Sequence, residues 1–485
     1  MGFFSDGKLK RINLTGGAVQ VLADAPAPRG GTWNADGVIV FAPATNGALM
    51  RVAASGGAVA PVTRLASGQG SHRWPQFLPD GRRFLFLMAT GLPEAHGAYI
   101  GSLDGGEPIR VMSAETAAAY AAPGYLLLVS QGVLSAYPFD EARGNVTGEP
   151  IVVEQAVGTD DGAFHSAFSV SEQGVLAHRA GVGSTRQLAW FDRKGEMAAI
   201  GSSDETAMAN PEFAPNGERL ALTRTAQGNY DVWLIDLGRS VPNRFTFDPG
   251  LDYDAIWSPD GSQIVFRSTS KGSSDLFRKP ANGAGEEQPL LITPENKSSL
   301  DWSHDGRFVL YSIQNPRTAS DIWALPMTGE RKPFAVLEST YDEIEGQFSP
   351  DGRWLAYASN ESGRYEIYIR TFPEAGGKWQ ISPAGGTQPR FRRDGGELFY
   401  VAPDTRLMAV TLRLKPDANM PEAGTPVALF PARLAAGGNI PNTGFNAHAQ
   451  YAVAPDGRFL LNMASDNAVT APITIVQNWT AGLKQ

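Results

Sequence analysis

The phrase Trp257-Ser-Pro-Asp-Gly261 decides the fold of this chain, because close copies return at Trp302-Ser-His-Asp-Gly306 and Phe348-Ser-Pro-Asp-Gly352. Each copy places an aromatic residue ahead of a tight turn. Proline presets φ for such a turn, aspartate can hydrogen bond to its own backbone, and glycine adopts the positive φ that closes it. An apolar run follows, as in Gln263-Ile-Val-Phe266. The phrase therefore predicts two antiparallel strands joined by a tight turn.

Clear and weaker copies of this phrase recur along the 485 residues at a nearly constant spacing. From Gly217 to Gly395 the turn glycines step by 44, 45, 46 and 43 residues. The turn glycines of all the copies are Gly37, Gly81, Gly124, Gly174, Gly217, Gly261, Gly306, Gly352, Gly395 and Gly457. A period of this size, with strands on both sides of each turn, is typical of β-propeller blades. We predict an all-β fold, a β-propeller of four-stranded antiparallel blades.

A third strand follows four of the turns and opens with an acidic residue. Asp231, Asp275, Asp321 and Glu366 lie 14, 14, 15 and 14 residues after their turn glycines. Unrelated segments would not share this offset by chance. We interpret these acids, and the aromatic residues around them, as groups that hold neighbouring blades together.

The composition excludes several classes of function. A formal charge of −9 and a pI near 5.3 argue against a nucleic-acid-binding surface. The chain has no cysteine, which excludes disulfides and thiol catalysis. It has no transmembrane run, and its N-terminus lacks the apolar core of a signal peptide. As written, we expect a soluble, monomeric chain that does not insert into a membrane.

The two halves of the chain repeat one another, which predicts a duplicated multi-blade unit. The pairs Gly81 and Gly352, and Gly124 and Gly395, are each 271 residues apart. We predict an incomplete N-terminal unit, residues 1–201, with about four blades and a partial blade. A six-bladed unit, residues 202–485, would follow it. The alternative is one ring of about ten blades, sealed by pairing the N-terminal strands with Ile473–Trp479.

The hairpin and its acid-aliphatic-aromatic strand resemble the TolB-type, WD-like propeller repeat. Further phrases resemble the C-terminal extracytoplasmic propeller of bacterial receptor-type serine/threonine kinases, over nearly the whole chain. These phrases are Gly7-Lys-Leu-Lys-Arg11, Gly30-Gly-Thr-Trp-Asn34, Ser71-His-Arg-Trp-Pro75, Tyr341-Asp-Glu-Ile-Glu345 and Asn478-Trp-Thr-Ala-Gly482. The resemblance implies a sensory or ligand-binding region on the extracytoplasmic, periplasmic side of a membrane. A free-standing TolB-like adaptor for envelope proteins is an alternative.

Motifs for catalysis are missing from the sequence. The kinase phosphate loop, catalytic loop and Asp-Phe-Gly are absent, and His72-Arg73 is followed by Trp74 where a kinase needs aspartate. The Gly-x-Ser-x-Gly elbow of a propeller-linked peptidase is also absent. The histidines include no pair at close ligand spacing, so we predict no metal and no cofactor. We therefore expect a non-catalytic binding module that is not an enzyme, with a propeller hydrolase as the weakest alternative.

The segments that enter the innermost strands are the expected place for a ligand, since they border the mouth of a propeller's central channel. The candidate ligand-binding residues there are His72, Arg73, Trp74, His165, Asp252, Tyr253, Asp254, Glu343, Glu345, Gln388, Arg390 and His448, with Gln450 beside the last. The expected partner is a protein or a small ligand derived from the cell envelope.

Overall fold

A computed structural model gives the fold of residues 1–483, except residues 6, 45–46, 67–69, 90–94, 161–162, 172, 181–185, 205–207, 227–228, 240, 316–318, 375, 415–419, 435–448 and 465–471. The described residues form 46 β-strands and one 3₁₀ helix, Trp479–Leu483. No helix within these ranges is long and apolar enough to span a membrane. All strand pairs within the sheets are antiparallel, and most sheets have four strands. The predicted all-β fold of four-stranded antiparallel sheets is confirmed.

The chain divides into two compact units. Unit 1 comprises residues 1–184 and 466–485, and unit 2 comprises residues 185–465. The predicted division placed the boundary at residues 201 and 202 and assigned the C-terminus to the second unit. The observed division differs because strands near each end of unit 2 pair with one another, while the last strand of the chain returns to unit 1.

Unit 1 contains five sheets and a short hairpin within its described residues. The first sheet has three strands: β1 (Gly2–Ser5), β2 (Lys8–Arg11) and β3 (Gln20–Asp24). Two four-stranded sheets follow: β4 (Gly31–Trp33), β5 (Val38–Phe41), β6 (Met50–Ala53) and β7 (Ala60–Pro61), then β8 (Ser71–Phe77), β9 (Arg83–Ala89), β10 (Gly97–Ser102) and β11 (Ile109–Met112). The next sheet has five strands: β12 (Ala119–Ala121), β13 (Tyr125–Ser130), β14 (Val133–Asp140), β15 (Asn145–Val146) and β16 (Ile151–Glu154). The hairpin is β17 (Thr159–Asp160) and β18 (His165–Ser166), and the last sheet is β19 (Phe168–Val170), β20 (Val175–Arg179) and β46 (Ile473–Gln477).

Unit 2 contains six sheets within its described residues. Four of them are formed by consecutive strands: β23 (Met208–Phe213), β24 (Arg219–Ala226), β25 (Asn229–Asp236) and β26 (Val241–Arg244); β27 (Asp252–Trp257), β28 (Gln263–Lys271), β29 (Ser273–Pro280) and β30 (Gln288–Leu291); β31 (Lys297–Trp302), β32 (Phe308–Asn315), β33 (Ala319–Pro326) and β34 (Phe334–Leu337); β35 (Glu343–Phe348), β36 (Trp354–Ser359), β37 (Glu366–Thr371) and β38 (Lys378–Gln380). The fifth sheet has five strands: β39 (Thr387–Phe391), β40 (Glu397–Val401), β41 (Arg406–Arg413), β42 (Glu422–Ala423) and β43 (Val427–Pro431). The sixth joins β21 (Arg186–Phe191) and β22 (Met197–Asp204) to β44 (Tyr451–Val453) and β45 (Phe459–Ala464).

The sixth sheet of unit 2 is built from both ends of that unit. Its strand order is β22-β21-β45-β44, with Trp190 opposite Leu460. The first strands of the six sheets, β23, β27, β31, β35, β39 and β44, each contact the next, and β44 contacts β23. These six strands therefore form a closed cycle around a central axis.

The final strand of the chain pairs inside unit 1. β46 lies antiparallel to β20, with Ile475 opposite Ala177 and Gln477 opposite Val175. Trp479, just after this strand, is buried and lies 5.8 Å from the ring of Tyr125. The single-ring alternative required this segment to pair with the N-terminal strands. The register shows that it does not.

The turn chemistry matches the prediction from the repeated phrase. Gly261 has φ 69°, and its N–H donates to the Ser258 carbonyl at 2.8 Å. Asp260 Oδ1 accepts the backbone N–H of Ser262 at 3.0 Å. Glycine is favoured here because a side chain at this φ is strained.

The acids that open the third strands are buried, and two of them bond to the next sheet or to the segment that leads into it. Asp231, Asp275, Asp321 and Glu366 are all fully buried. Lys297, on the first strand of the following sheet, donates to Asp275 at 2.7 Å. Glu366 likewise accepts the backbone N–H of Gly385 at 2.8 Å. Their contacts agree with the interpretation that these acids hold blades together.

A shared irregularity in the first strands positions polar residues at the centre of unit 2. The pairing register shifts in β23, β27, β31, β35 and β39. At four of these shifts, Asn210, Asp254, Glu345 and Gln388 adopt φ between 53° and 58°. A bulge of this kind re-aims a side chain, so these residues leave the regular alternation of the strand.

Candidate functional site

Six polar residues, each on or beside one of the first strands of unit 2, form what we call the central belt, and hydrogen bonds join most of the neighbouring pairs. Its members are Asn210, Asp254, Ser299, Glu345, Gln388 and Gln450, all less than one tenth exposed. The links between neighbours are as follows: Asn210 Nδ2 donates to Asp254 Oδ1, Ser299 Oγ to the Asp254 carbonyl, the Gln388 N–H to Glu345 Oε2, and the Gln450 N–H to Gln388 Oε1 at 2.7 Å. Asn210 Oδ1 also accepts the Ala449 N–H at 3.2 Å, which connects the last first strand to the first.

Asp254 is neutralised within its own sheet. Its Oδ2 lies 3.3 Å from Nε of Arg267, and both side chains are buried. The Arg267 guanidinium also lies 4.4 Å from the ring centre of Tyr253, which is stacked on Tyr230 at 5.2 Å. The predicted residues Tyr253 and Asp254 are thus part of a packed, charge-balanced group.

Glu345 and Gln388 carry polar atoms that the described residues leave unsatisfied. Glu345 is 5% exposed and its Oε1 has no hydrogen-bond partner in the described part of the chain. Gln388 is 1% exposed, and its Nε2 likewise has no hydrogen-bond partner among the described residues. The Gln450 N–H fixes the orientation of the Gln388 amide, because only its oxygen can accept that bond. Buried polar atoms normally have hydrogen-bond partners, so Glu345 Oε1 and Gln388 Nε2 are candidates for contact with a ligand.

Two oppositely charged residues from alternate sheets meet near the axis, and a third acid lies close by. Glu212 on β23, Asp301 on β31 and Arg390 on β39 each directly precede the aromatic residue of their strand. Arg390 Nη2 lies 3.4 Å from Glu212 Oε2, and Asp301 is close enough for its charge to act on both. Since these strands are not neighbours in the cycle, their side chains must reach towards the axis to meet.

The carboxyl groups at this centre hold their protons more tightly than usual. Burial raises the pKa of Glu345 to about 8, although the Gln388 N–H and Arg390 oppose the shift. Burial raises the pKa of Glu212 to about 7 and that of Asp301 to about 6, again against the effect of Arg390. The Glu212 side chain remains 30% exposed, so it is the least buried of the three carboxyl groups by surface area. One guanidinium does not compensate three carboxyl groups.

Two other predicted residues of unit 2 are buried at the starts of their strands. Asp252 is fully buried and Glu343 is 2% exposed. Burial raises the pKa of Asp252 to about 8 and that of Glu343 to about 7. Glu343 accepts a hydrogen bond from Ser339 Oγ. The structure does not place either residue in the central belt.

The predicted residues of unit 1 separate into a core histidine and an aromatic group. His72 is fully buried, its Nδ1 lies 2.8 Å from Thr63 Oγ1, and burial lowers its pKa to about 4. Trp74 Nε1 donates to the Ala163 carbonyl at 2.7 Å, and its ring lies 4.2 Å from that of His165. The Arg73 guanidinium lies 5.1 Å from the centre of the Phe164 ring.

Sequence reasoning found part of the central site of unit 2. It named Asp254, Glu345, Gln388, Arg390 and Gln450, but it missed Asn210, Ser299, Glu212 and Asp301. A usable signal exists, because all four missed residues share a fixed offset with named residues. Asn210 and Ser299 lie three residues before the aromatic of their turn, as Asp254 does, and Glu212 and Asp301 lie one residue before it, as Arg390 does. His448 lies outside the described residues. Within those residues, no cluster of three or more acidic or histidine side chains could hold a metal ion.

Comparison with curated proteins finds distant relatives that include peptidases. The chain is 24% identical over 223 residues to the uncharacterized peptidase YuxL of Bacillus subtilis, covering 35% of this chain and 33% of YuxL. It is 24% identical over 225 residues to a probable dipeptidyl-peptidase 5 of Aspergillus clavatus, covering 40% and 30%. The Tol-Pal system protein TolB of Wolinella succinogenes is 21% identical over 179 residues, covering 36% and 42%. The chain thus spans about a third of the length of the first two relatives.

These matches contradict the prediction that the protein is not an enzyme. Two of the relatives are named as peptidases. The prediction relied on missing motifs, and a missing motif excludes only the chemistry that requires that motif. The narrower resemblance to receptor kinases is not tested by these matches and stays a prediction.

The family comparison agrees with the fold. Among solved structures, a protein described as TolB from Agrobacterium tumefaciens matches with a TM-score of 0.43 at 17% identity, covering 58% of this chain and 98% of that chain. Residues 193–331 match the family model of the TolB beta propeller domain. This segment contains the sheets β23–β26 and β27–β30 and most of the next one. Residues 193–331 are therefore similar to the TolB beta propeller domain.

Proposed function

We propose that this chain binds peptide segments at the centre of unit 2, as the recognition region of a peptidase-type protein. The observation that carries the proposal is the central belt with its unsatisfied polar atoms. Glu345 Oε1, on a carboxyl group whose raised pKa keeps it mostly protonated near neutral pH, and Gln388 Nε2 are buried polar atoms on strands that enclose an axis. A peptide backbone supplies both donors and acceptors, so it can satisfy both kinds of atom.

The peptidase part of the proposal is supported by the relatives. YuxL and the dipeptidyl-peptidase are named for action on peptides, and this chain matches about a third of each. Peptide is therefore the ligand class that agrees with both the chemistry of the centre and the relatives. The TolB-type domain supports the same kind of role, since such a propeller is an interaction module.

A pool of random tetrapeptide amides tests this function. One half of the pool is prepared with free N-termini and the other half is N-acetylated, and both are incubated with the full chain. We expect the chain to retain peptides from at least one half, measured by mass spectrometry of the bound fraction. The same samples reveal hydrolysis as new, shorter peptides. Retention of neither half, without hydrolysis, would remove the support for a peptide-directed function.

A sensory role in a receptor-type kinase is the second candidate. The phrases at residues 7–11, 30–34, 71–75, 341–345 and 478–482 favour it, and it would place the chain on the extracytoplasmic side of a membrane. Ligand binding at unit 2 would then be the sensed event. Reading the genomic sequence upstream of Met1 tests the idea: a continuous frame that encodes a membrane helix and a kinase would support it, and an in-frame stop would oppose it.

A further inference from the structure

The turns that follow the first strands of unit 2 differ in the residue two positions before the turn glycine. In four of the six turns this residue is a proline: Pro215, Pro259, Pro350 and Pro455. The other two turns carry His304 and Arg393, although the turn requires neither side chain. Burial and the positive charge of Arg393 lower the pKa of His304, so the two side chains lie near one another.

Arg393 lines a cleft together with the turns of the first two sheets of unit 2. The cleft has a volume of about 510 Å³, and its walls include Pro215, Asn216, Arg219, Pro259, Asp260 and Arg393. Arg393 belongs to the turn of the fifth sheet, which is next to neither of the first two in the cycle of first strands. Its side chain therefore extends over the turn end of the axis. Sites for small ligands have volumes of about 300 to 1,000 Å³, and this cleft falls within that range.

The two arginines of this cleft have no acid partner in the part of the chain that the structure describes. Arg219 Nη1 donates to the Ala281 carbonyl at 2.9 Å, and its guanidinium lies 4.9 Å from the centre of the Trp257 ring. Neither contact supplies a negative charge. Arg393 forms neither a hydrogen bond nor an ion pair with the described residues. Both groups remain charged, because arginine does not lose its proton in proteins.

Other arginines at this end of unit 2 are neutralised. Each is hydrogen bonded to a carboxylate, and the pairs are Arg193 with Glu397, Arg392 with Asp394 and Arg458 with Asp456. Pairing is therefore the usual state of an arginine on these turns. The absence of a carboxylate partner for Arg219 and Arg393 distinguishes their cleft from the rest of this surface.

The acids beside the cleft do not balance its charge. Asp260 is the one acid in its wall, and its Oδ1 accepts bonds from Ser258 Oγ at 2.5 Å and from the Ser262 N–H at 3.0 Å. Asn216 occupies the position where the other five turns of unit 2 have aspartate. Its Nδ2 donates to the exposed Glu218 at 2.7 Å. Two cations and one engaged carboxylate leave the cleft with a net positive charge.

We infer that this cleft binds a small ligand through an oxyanion, a carboxylate or a phosphate, whose oxygens accept N–H bonds from Arg393 and Arg219. A guanidinium presents parallel N–H donors that match two oxygens of such a group. Pro215 and Pro259 provide apolar walls for the rest of the ligand. The inference goes beyond the proposed function and does not depend on it, because Arg393 lies past the end of β39, on the turn side of the central belt.

Ligands of other charge fit this cleft less well. Both arginines repel a cation such as an ammonium group. A neutral carbonyl group can accept one of the N–H bonds, but it leaves the charge of the two guanidinium groups uncompensated. An oxyanion supplies the acceptors and the negative charge together.

Equilibrium dialysis of the full chain against radiolabelled inorganic phosphate, and separately against radiolabelled succinate, tests the inference. The salt concentration is about 0.15 M, where contacts with exposed charges are largely screened. We expect saturable binding of at least one probe, at one site per chain, with a Kd below about 1 mM. Binding of phosphate alone would identify a phosphate site, and binding of succinate alone a carboxylate site. Binding of neither probe would overturn the inference.

Two substitutions locate the bound probe. Arg393→Gln removes the unpaired charge from an exposed side chain, so the variant is expected to fold, and it should raise the Kd by about tenfold or more. Arg406→Gln is the matched control, because Arg406 is a mostly exposed arginine of the same unit whose Nε lies 3.4 Å from the exposed Asp404. This control should leave the Kd unchanged.

The folding of both variants is checked by thermal unfolding and far-ultraviolet circular dichroism. If folded Arg393→Gln binds the probe as tightly as the unchanged chain does, the cleft is not the site and the inference is wrong. An equal loss of binding in Arg393→Gln and Arg406→Gln would show that the probe responds to the overall charge of the chain, which also overturns it. The tetrapeptide experiment has no bearing on either outcome, so the two proposals can fail separately.

Discussion

Units 1 and 2 use the same strand position at their centres in opposite ways. In unit 2, the residue three positions before the turn aromatic is polar and hydrogen bonded around the belt, as at Asp254 and Glu345. In unit 1, the same position holds Gly30, Trp74 and Ala117. The Trp74 side chain packs against Ala117 and Phe164 and makes its polar contact with a backbone carbonyl. One centre is thus filled by an aromatic side chain, and the other keeps polar atoms unsatisfied.

The difference shows that the positions of the repeat that determine the fold are not the positions that provide polar contacts at the centre. The turn phrase and the buried acids determine how strands pair and how sheets pack. The turn phrase recurs in both units, whereas the four buried acids all lie in unit 2. The position three residues before the aromatic is free to change, since its left-handed or bulged backbone takes the side chain out of the strand pairing. Gly30 and Trp74 use this freedom for packing, and the belt residues use it for polar contacts.

The largest loss of stability that we expect from this comparison follows substitution of Trp74. Trp74→Ala should destabilise unit 1 by about 3 kcal/mol, because it removes a large side chain that packs against Ala117 and Phe164. Hydrogen exchange, followed by mass spectrometry, should show faster exchange in β8 and β12 with little change in unit 2. Gln388→Ala in unit 2 is the matched substitution at the same strand position. Equal protection of β8 in the unchanged and variant chains would refute a packing role for Trp74.

A second prediction concerns the space that Gly30 leaves for Trp74. A Cβ atom at Gly30 would lie 2.6 Å from Trp74 Cε3 and 3.0 Å from its Cα, so moving the ring alone cannot relieve the overlap. Gly30→Ala should therefore lower the free energy of unfolding by about 2 kcal/mol, in addition to the strain of placing alanine in a left-handed backbone conformation. The measurement is the free energy of unfolding in urea.

Gly105→Ala provides the control for Gly30→Ala. Gly105 has φ 83°, close to the 89° of Gly30, but a Cβ there would meet nothing within 4 Å. Gly105→Ala therefore measures only the free-energy cost of placing alanine in a left-handed backbone conformation, about 1 kcal/mol. If the two substitutions cost the same, the contact with Trp74 does not constrain Gly30. A smaller cost for Gly30→Ala in the Trp74→Ala background would confirm the overlap as the cause.

A third prediction tests the polar centre through its pH dependence. The pKa of Glu345 is raised from 4.5 to about 8, so the folded chain retains a proton that the unfolded chain has lost. This contribution to stability is complete below the unfolded pKa and is lost as the pH rises through about 8. Glu345→Gln should therefore become more stable relative to the unchanged chain by on the order of 1 to 2 kcal/mol between pH 6.5 and pH 8.

The pH series needs Asp404→Asn as its control, because an exposed acid should give a nearly constant difference in stability. Glu212 and Asp252 titrate in the same range, but they are present in both chains and cancel in the comparison. A pH-independent difference for Glu345→Gln would mean that the Glu345 carboxyl titrates normally and that the centre is more open to water than its burial indicates.

The sequence predicted the fold well because its signals are local. An Asp-Gly turn at Gly261 requires only the residues beside it, and the common offset of Asp231, Asp275, Asp321 and Glu366 reports a repeated contact between sheets. The boundary between the units was harder to predict from the sequence. It depends on pairing of β21 with β45 and of β46 with β20, across long stretches of chain with no local signal.

The candidate site was predicted in part for the same reason. The polar residues at strand entries could be named, but Asp252 and Glu343 resemble Asp254 and Glu345 in sequence while lying two residues before them on the strand. Only the bulge decides which acid joins the central belt. The ion pair of Glu212 with Arg390 joins residues that are far apart in sequence, and no spacing rule within one repeat reveals it.

The smallest expected effect concerns Tyr253, whose ring supports the charge-balanced side of the belt. Tyr253 stacks on Tyr230 and lies under the Arg267 guanidinium, which in turn pairs with Asp254. Tyr253→Leu should cost about 1 kcal/mol in the free energy of unfolding, because it removes the ring and its attraction for the cation. Tyr253→Phe keeps the ring and should cost clearly less. An equal loss of stability in both variants would assign the stabilisation to the Tyr253 hydroxyl group. The Tyr253 ring would then contribute little to the stability of the Asp254–Arg267 pair.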